Sequence, residues 1–305
     1  MERAWDVIVI GAGAAGLTSA KETASAGLRT ACIESLMFGG LIVNVNELNP
    51  SLDGASGSGV DFATELMTAA TDAGVESLNG IVELVENNGD GFAVRVDGEV
   101  HTARTVILAS GARLKRLGIP GEEEYEGRGV SQCADCDGPM FSGKDVIVVG
   151  GGDSAIQEAL TLAGLCSTVY VAHRDEAFTA TPEFVEELER CSNVRILWNT
   201  IVERLEGEEH VEKAVVWDTK ADASRELPCS AMFAYIGLEP NSEYLDEDVP
   251  RDEHGRVITD GSLQTKIPGL FAAGAVRVGC GGLLSDAIGE GRAAASAAIR
   301  FVELS

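Results

Sequence analysis

The sequence predicts an α/β fold in which two Rossmann-like dinucleotide-binding domains are nested, the second inserted into the first. Two glycine-rich turns carry this prediction, one beginning at Gly11 and the other at Gly150. Each turn follows a buried apolar run and leads into a helical pattern and a further apolar run, which is the order of a βαβ unit. Glycine and proline clusters place the first domain at residues 1–116 and 243–305, and the second at 117–242.

Length and charge limit the classes of function. The 305 residues suffice for two domains, and 23 basic against 49 acidic residues give a net charge of −26. This charge excludes a general nucleic-acid binder, which needs a basic face, and it disfavours docking on anionic lipid. The sequence has no apolar run of about eighteen residues, so no membrane span is expected. Cysteines without disulfide-scaffold spacing suit a reducing compartment, and a cytoplasmic location is expected.

The first turn has every part of a dinucleotide site. Its first glycine permits a tight turn, its second lets the backbone approach a pyrophosphate, and its third lets helix and strand pack closely. A carboxylate at the end of the next apolar run is placed to bind a ribose hydroxyl. The residues expected to hold this nucleotide are Gly11, Gly13, Ala14, Ala15, Gly16 and Glu34.

The elements of the first domain follow from periodicity and turn residues. A strand is predicted over 6–10, a helix over 17–24 and a strand over 29–33. An irregular segment over 39–50 comes next, then a helix over 61–73 and strands over 80–86, 91–96, 100–103 and 105–109. Gly118–Gly121 is predicted to mark the crossing into the second domain, and Glu239–Asn241 the return. The final helix is predicted over 284–301.

The second domain repeats the βαβ order. A strand is predicted over 145–149, a helix over 155–165 and a strand over 168–172, followed by a helix over 182–190 and strands over 194–205, 214–218 and 226–236. The residues expected to hold a second nucleotide are Gly150, Gly152, Asp153, Ser154 and Arg174.

Cys133 and Cys136 form a Cys-x-x-Cys pair followed directly by Asp137. Such a pair indicates a redox dithiol or half of a metal site. A metal site needs a second pair of cysteine or histidine ligands, and the sequence has none at ligand spacing. No metal is therefore predicted, and the redox interpretation is favoured because a nucleotide fold lies on either side. Cys280 is predicted to be a small apolar residue, and Glu122–Glu124 a solvated acidic loop.

The chain resembles the low-molecular-weight thioredoxin reductases over nearly its whole length, most specifically from Gly118 through Ala155. The resemblance implies FAD on the first domain and a Cys133–Cys136 pair that exchanges electrons with the flavin and with a partner's disulfide. It further implies Asp137 as the proton donor and acceptor, a rotating second domain, and a homodimer. The additional residues that it places around FAD are Gly39, Gly40, Val82, Ser110, Gly111, Gly274 and Ala275.

Three departures from the family pattern concern the two nucleotide sites. The family's His-Arg-Arg-Asp-x-Phe-Arg is here His173–Thr179, which keeps one of three arginines and gains Asp175. A 2′-phosphate needs arginine as its charge partner, whereas a free ribose diol accepts a carboxylate. NADPH is therefore disfavoured, and NADH or no pyridine nucleotide is expected. The family's Gly-Asp is Gly274-Ala275, and its glutamines near the flavin are Leu41 and Leu283.

The leading prediction is an FAD-dependent disulfide reductase that draws on NADH or on a donor such as ferredoxin. Its partner would be a protein or small-molecule dithiol or disulfide. One alternative is an oxidase in which the cysteine pair oxidises a small-molecule dithiol and the electrons pass to oxygen. An alternative of another class is a flavin-binding sensor without turnover.

Overall fold

The computed structural model describes residues 5–45, 48 and 57–304. The chain divides into two compact units. Unit one contains Met1–Arg113 and Glu239–Ser305, and unit two contains Leu114–Leu238. The predicted boundaries lie three or four residues further along the chain (116 against 113, and 242 against 238).

The first segment of unit one begins with a βαβ unit, and its elements in order are β1 (Trp5–Ile10), α1 (Ala14–Ser25), β2 (Thr30–Glu34), a 3₁₀ helix (Gly40–Asn44), α2 (Gly59–Asp72), β3 (Glu76–Asn79), β4 (Val82–Asn87), β5 (Phe92–Val96), β6 (Glu99–Leu108) and β7 (Ala112–Leu114). The predicted strands over 100–103 and 105–109 form the single strand β6. β3 was not predicted because its four residues show no apolar pattern and three of them are exposed. Part of the segment predicted to be irregular, residues 46–47 and 49–50, lies outside the described residues.

The second unit and the return segment contain the remaining elements. These are β8 (Val130–Ser131), α3 (Ala134–Asp137), a 3₁₀ helix (Gly138–Phe141), β9 (Asp145–Gly150), α4 (Asp153–Ala163), β10 (Thr168–Ala172), α5 (Pro182–Arg190), β11 (Val194–Leu197), β12 (Thr200–Glu206), β13 (Lys213–Asp218), β14 (Ala223–Pro228), β15 (Ala231–Tyr235), β16 (Leu238–Pro240), β17 (Leu270–Ala272) and α6 (Leu284–Leu304). Two predicted strands are each divided in two. Asn199 adopts a positive φ of 51° between β11 and β12, and Pro228, which has no N–H to donate, ends β14.

The described part of unit one has a seven-stranded sheet in the order β3-β2-β1-β6-β5-β4, with β17 also paired to β6. β1 pairs in parallel with β2 and β6, and β17 pairs in parallel with the second half of β6. The carboxyl ends of β1, β6 and β17 therefore meet at one edge of the sheet, which is where ligands bind in such folds. Apolar residues are buried on both faces of the sheet, as expected for parallel strands.

In unit two the parallel order is β11-β10-β9-β15-β8, beside a three-stranded antiparallel sheet of β12, β13 and β14. One face of the parallel sheet packs against α4 in a core that includes Ile156 and Phe233. The other face packs against the antiparallel sheet in a core that includes Ile147 and Met232. The glycine-rich turn before α4 is thus fixed by a sheet that is covered on both sides.

The segment predicted to mark the crossing, Gly118–Gly121, lies inside unit two. Glu122 beside it is only 5% exposed, so the prediction of a solvated acidic loop is wrong at this residue. Its carboxylate accepts the N–H groups of Leu117 at 2.9 Å and Gly118 at 2.6 Å, which satisfies a buried charge. Both boundaries instead lie in a two-stranded ribbon of β7 and β16. None of the described helices has the length and apolar composition of a membrane span.

Candidate active site

Cys133 and Cys136 form a disulfide in unit two, with their Cα atoms 5.3 Å apart. Cys133 is the N-terminal cap of the one-turn helix α3, and its sulfur accepts the Cys136 N–H at 3.1 Å. Cys133 is 9% exposed, whereas Cys136 is exposed. The helical turn therefore holds both sulfurs in bonding range and places an N–H donor where it stabilises negative charge on the Cys133 sulfur after reduction.

Asp137 lies on the same turn, as the sequence predicts. The Ser131 hydroxyl donates to its Oδ2 at 2.6 Å, and the same hydroxyl oxygen accepts the Cys133 N–H at 3.1 Å. Ser131, at the end of β8, thus links the carboxylate of Asp137 to the backbone of the first cysteine. The Asp137 side chain is half-buried, and its role as proton donor and acceptor, which the family resemblance implies, stays a prediction.

The first glycine-rich turn connects β1 to α1 in unit one. Gly11 has a φ of 101°, and a Cβ added there would lie 2.4 Å from the Ala109 carbonyl oxygen. A Cβ on Gly16 would lie 1.8 Å from the Gly11 oxygen, so these two glycines are required by close packing. At Gly13 the nearest atom would be 3.9 Å away, so this glycine leaves space for a ligand.

Glu34 ends β2 beside this turn. Its Oε2 accepts the Ala12 N–H at 2.8 Å, and its Oε1 accepts the Ser35 N–H at 2.9 Å. A cavity of about 160 Å³ opens next to this carboxylate. Its lining includes residues that the sequence did not indicate, because they follow no repeating pattern: Leu36, Met37, Phe38, Met67, Ser77, Leu78 and Asn79.

Most of the other residues predicted to bind FAD lie around the same turn. The Gly39 N–H donates to the Ala12 oxygen at 2.7 Å, and a Cβ on Gly40 would lie 3.3 Å from the Cα of Gly13. A Cβ on Gly274 would lie 3.0 Å from the Cβ of Ala15, and Ala275 follows Gly274. Ser110 and Gly111 follow β6, whereas Val82 begins β4 and does not line the cavity.

These residues fit FAD. The turn offers a glycine-rich backbone at the N-terminus of α1 for a pyrophosphate, and Glu34 with its cavity suits an adenosine. In the described residues, no group of three or more histidine, cysteine or acidic side chains is arranged to hold a metal ion.

A partly buried ion pair near the predicted flavin site is visible only in the structure. Glu290 accepts the Gly274 N–H at 2.8 Å and pairs with Arg277, and their side chains are 16% and 13% exposed. Arg277 also donates to Thr259 Oγ1 at 3.0 Å. Burial raises the pKa of the nearby Cys280 thiol, which disfavours a reactive thiolate there.

The second glycine-rich turn connects β9 to α4 in unit two. A Cβ on Gly151 would lie 2.2 Å from the His173 ring, which is 7% exposed and fills the space under the turn. His173 Nε2 lies 2.9 Å from the Ala177 oxygen, and the Thr179 N–H donates to the Gly151 oxygen at 2.8 Å. His173 therefore supports the turn structurally, as its position after β10 allows.

The predicted ligand residues of this second turn surround the start of α4. Gly150 ends β9, Gly152 caps the helix, and Asp153 and Ser154 form its first turn. The Asp153 carboxylate accepts the Thr181 N–H at 2.6 Å.

Arg174 and its neighbours follow β10. The Arg174 side chain is 80% exposed, and its Nε lies 3.3 Å from Asp175 Oδ2. Glu176 pairs with Lys220 at 2.8 Å, and this contact lowers the pKa of the glutamate. Each of the two cations in this group thus already has a carboxylate partner.

Comparisons with known proteins agree with this geometry. Residues 5–300 match the family model described as pyridine nucleotide-disulphide oxidoreductase. A thioredoxin reductase from Treponema pallidum is 37% identical over 304 residues, covering 99% of each chain. Among solved structures, the Lactococcus lactis thioredoxin reductase superposes with a TM-score of 0.92 at 32% identity, covering 99% of this chain and 100% of that one. The T. acidophilum thioredoxin reductase gives 0.90 at 28% identity, covering 100% of each chain.

The fold, the disulfide and the flavin-type turn define a flavoprotein disulfide oxidoreductase. The chain belongs to the pyridine nucleotide-disulphide oxidoreductase family, and the similar proteins named above are low-molecular-weight thioredoxin reductases. It is an FAD-dependent enzyme of that family, as the sequence predicts.

Proposed function

We propose that this enzyme reduces the disulfide of a thioredoxin-type protein through its Cys133–Cys136 pair. The disulfide with Asp137 fixed beside it is the observation that carries the proposal. The names of the similar proteins from Treponema pallidum and Lactococcus lactis support the choice of a thioredoxin as partner. The resemblance to the same family also supports a homodimer, which a mass measurement in solution would test.

Different residues of this chain would bind the cofactor, stabilise the thiolate and exchange the proton. Gly11, Gly13 and Gly16 with Glu34 would hold FAD, which supplies a carrier of two electrons when it is bound. Reduction of the pair adds two electrons and breaks the S–S bond. The Cys136 N–H then stabilises the Cys133 thiolate, and Asp137 exchanges the accompanying proton.

Transfer to the partner is a disulfide interchange. A thiolate of the pair attacks one sulfur of the partner's disulfide, whose S–S bond breaks as a mixed disulfide forms. The second thiol of the pair then displaces the partner. The pair ends as a disulfide and the partner ends as a dithiol. One of the partner's two protons comes from the remaining thiol of the pair, and the other comes from solvent.

We further propose NADH in preference to NADPH as the electron donor. Arg174 is the single arginine left in the segment that would face a 2′-phosphate, and Asp175 pairs with it at 3.3 Å. A phosphate would have to compete with that carboxylate and to lie close to its charge.

The first test is an anaerobic titration of the purified holoenzyme with NADPH and then NADH, following flavin absorbance. Bleaching by NADH at lower concentration than by NADPH supports the proposed donor. Equal or better bleaching by NADPH contradicts it. Bleaching by neither, together with reduction by dithiothreitol, contradicts NADH and indicates a different donor.

The partner is tested with an oxidised thioredoxin under the same conditions. Formation of partner thiols that requires Cys133 supports the reductase. The matched control is Cys191→Ser, since Cys191 is a half-buried free cysteine remote in sequence from the pair. In a parallel experiment in aerated buffer, oxygen uptake on adding a dithiol, together with no reduction of the thioredoxin in the anaerobic assay, would overturn the reductase in favour of a dithiol oxidase.

A further inference from the structure

A second carboxyl group contacts the redox helix. Glu158, on α4, accepts the N–H of Ala134 at 2.9 Å through its Oε2. Ala134 is the residue directly after Cys133 and is fully buried. The side chain of Glu158 therefore fixes the backbone between the two cysteines, in addition to the Ser131 hydroxyl, which accepts the Cys133 N–H.

A buried phenol lies beside this carboxyl group. Tyr235, the last residue of β15, is 7% exposed, and its hydroxyl makes no hydrogen bond of standard geometry with the residues that the structure describes. It lies close enough to Glu158 for each group to influence the other's pKa. The interaction with Tyr235 lowers the pKa of the Glu158 carboxyl group, so the phenol favours the ionised form of Glu158.

The surroundings of Glu158 favour its protonated form. Burial raises the pKa of this carboxyl group, and the nearby Asp135 on α3 raises it further. The Ala134 N–H and Tyr235 oppose this shift. Reduction of the disulfide adds negative charge to sulfur one residue away from the Ala134 N–H, and a like charge raises a carboxyl pKa again.

We propose that Glu158, with Tyr235, is a second positioning residue of the disulfide, and that it takes up a proton when Cys133–Cys136 is reduced. This proposal rests on the proposed redox cycle of the pair. Reduction adds two electrons, breaks the S–S bond and leaves new charge on sulfur. The proton bound by Glu158 comes from solvent, offsets that charge, and is released when the disulfide forms again.

The test is the midpoint potential of the pair in the holoenzyme from about pH 5 to about pH 9, a range that brackets a raised carboxyl pKa. The protein is equilibrated in thiol–disulfide buffers, and the dithiol fraction is measured by alkylation and mass. Each proton taken up with two electrons changes the equilibrium constant tenfold per pH unit, which is about 30 mV per pH unit. The wild type should show a region that is steeper by this amount.

Glu158→Gln keeps an oxygen acceptor for the Ala134 N–H but cannot titrate, so it should lose the steeper region. Tyr235→Phe removes a group that lowers the Glu158 pKa, so the region should move to higher pH. The matched control is Glu187→Gln, an exposed glutamate on α5, which should follow the wild type.

The proposal is overturned if the midpoint potential of Glu158→Gln depends on pH in the same way as that of the wild type. Glutamine still accepts the Ala134 N–H, so an unchanged profile would mean that Glu158 acts only as a structural acceptor. An unmoved Tyr235→Phe profile would remove Tyr235 from it. A wild-type pair that never equilibrates with the thiol buffers would instead overturn the proposed redox function itself, and the two failures are therefore distinguishable.

Discussion

The two glycine-rich turns share a design but differ in what stands beside them. In both, the middle position is open, since a Cβ on Gly13 or on Gly152 would meet its nearest atom at 3.9 and 3.8 Å. In unit one the carboxylate after the second strand, Glu34, is tied to the turn through the Ala12 N–H. In unit two the corresponding end of β10 carries Arg174 and Asp175, both exposed and paired with each other.

This difference shows how the same turn geometry can be adapted to bind different nucleotides. The glycines provide space and backbone donors for any pyrophosphate. The residue after the second strand decides which sugar is accepted, because it either receives hydroxyl groups or neutralises a phosphate. In unit one that residue, Glu34, is hydrogen-bonded to the turn. In unit two the same position is followed by the exposed pair of Arg174 and Asp175, whose charge a single substitution can change.

The largest expected effect lies outside both turns, at the Cys133–Cys136 disulfide. Cys133→Ser should lower the rate of disulfide reduction by about a thousandfold or more, because the nucleophile is lost. Flavin content and flavin bleaching by the nicotinamide should persist, since both turns are intact. Steady-state reduction of oxidised thioredoxin and a flavin spectrum measure the two. Substantial turnover in this variant would remove the pair from the mechanism.

The next effect compares the turns directly. A Cβ at position 16 would lie 1.8 Å from the Gly11 oxygen, so Gly16→Ala must distort the first turn. Overpacking of about 1–3 kcal/mol corresponds to roughly a tenfold to hundredfold loss of FAD affinity. Gly152→Ala meets no close atom and should keep its FAD. Protein-bound flavin after dialysis measures FAD retention in both variants. Equal retention would show that the first turn accommodates the added methyl group without loss of FAD affinity.

A smaller effect is expected on the preference of the second turn for NADH over NADPH. Asp175→Arg removes the partner of Arg174 and supplies a second cation, so binding of NADPH should strengthen relative to NADH. One charged hydrogen bond of about 1.5–3 kcal/mol gives roughly a tenfold to hundredfold change in the ratio of the two affinities. Anaerobic flavin titrations report the ratio. Glu187→Arg, at an exposed position on α5, serves as a control for added charge.

The smallest effect is expected on stability. It is absent at neutral pH, appears only in alkaline solution, and arises from one buried thiol in each unit. Burial raises the pKa of Cys32 in unit one and of Cys229 in unit two to about 12, from the ordinary value of 9.0. Because the unfolded thiols ionise first, stability is full below about pH 9 and is lost between about pH 9 and about pH 12, by up to roughly 1.4 kcal/mol per pH unit for each thiol.

Cys32→Ala and Cys229→Ala should each flatten this alkaline loss when the free energy of unfolding is measured against pH. The control is Cys191→Ala at a half-buried free cysteine, which should leave the slope unchanged. A steep loss that survives both alanine variants would assign the alkaline instability to other groups.

The sequence by itself determined the features that depend on near neighbours. The βαβ order, the close-packed Gly11 and Gly16, Glu34 at the end of β2, and Cys133 with Cys136 on one turn all follow from local spacing. Periodicity shows which face of an element is buried, and glycine patterns show where the backbone turns. The family resemblance rests on the same local motifs, and the comparisons confirm it.

Only the tertiary structure decided which distant side chains meet. Glu122 lies in an acidic run that the sequence marks as solvated, yet it is buried by its contacts with two backbone N–H groups. Glu158 meets Ala134 across 24 residues, and Glu290 meets Gly274 across 16. A pattern along the chain specifies the face of a helix but not the partner on the opposing element, because that partner is set by how the layers pack.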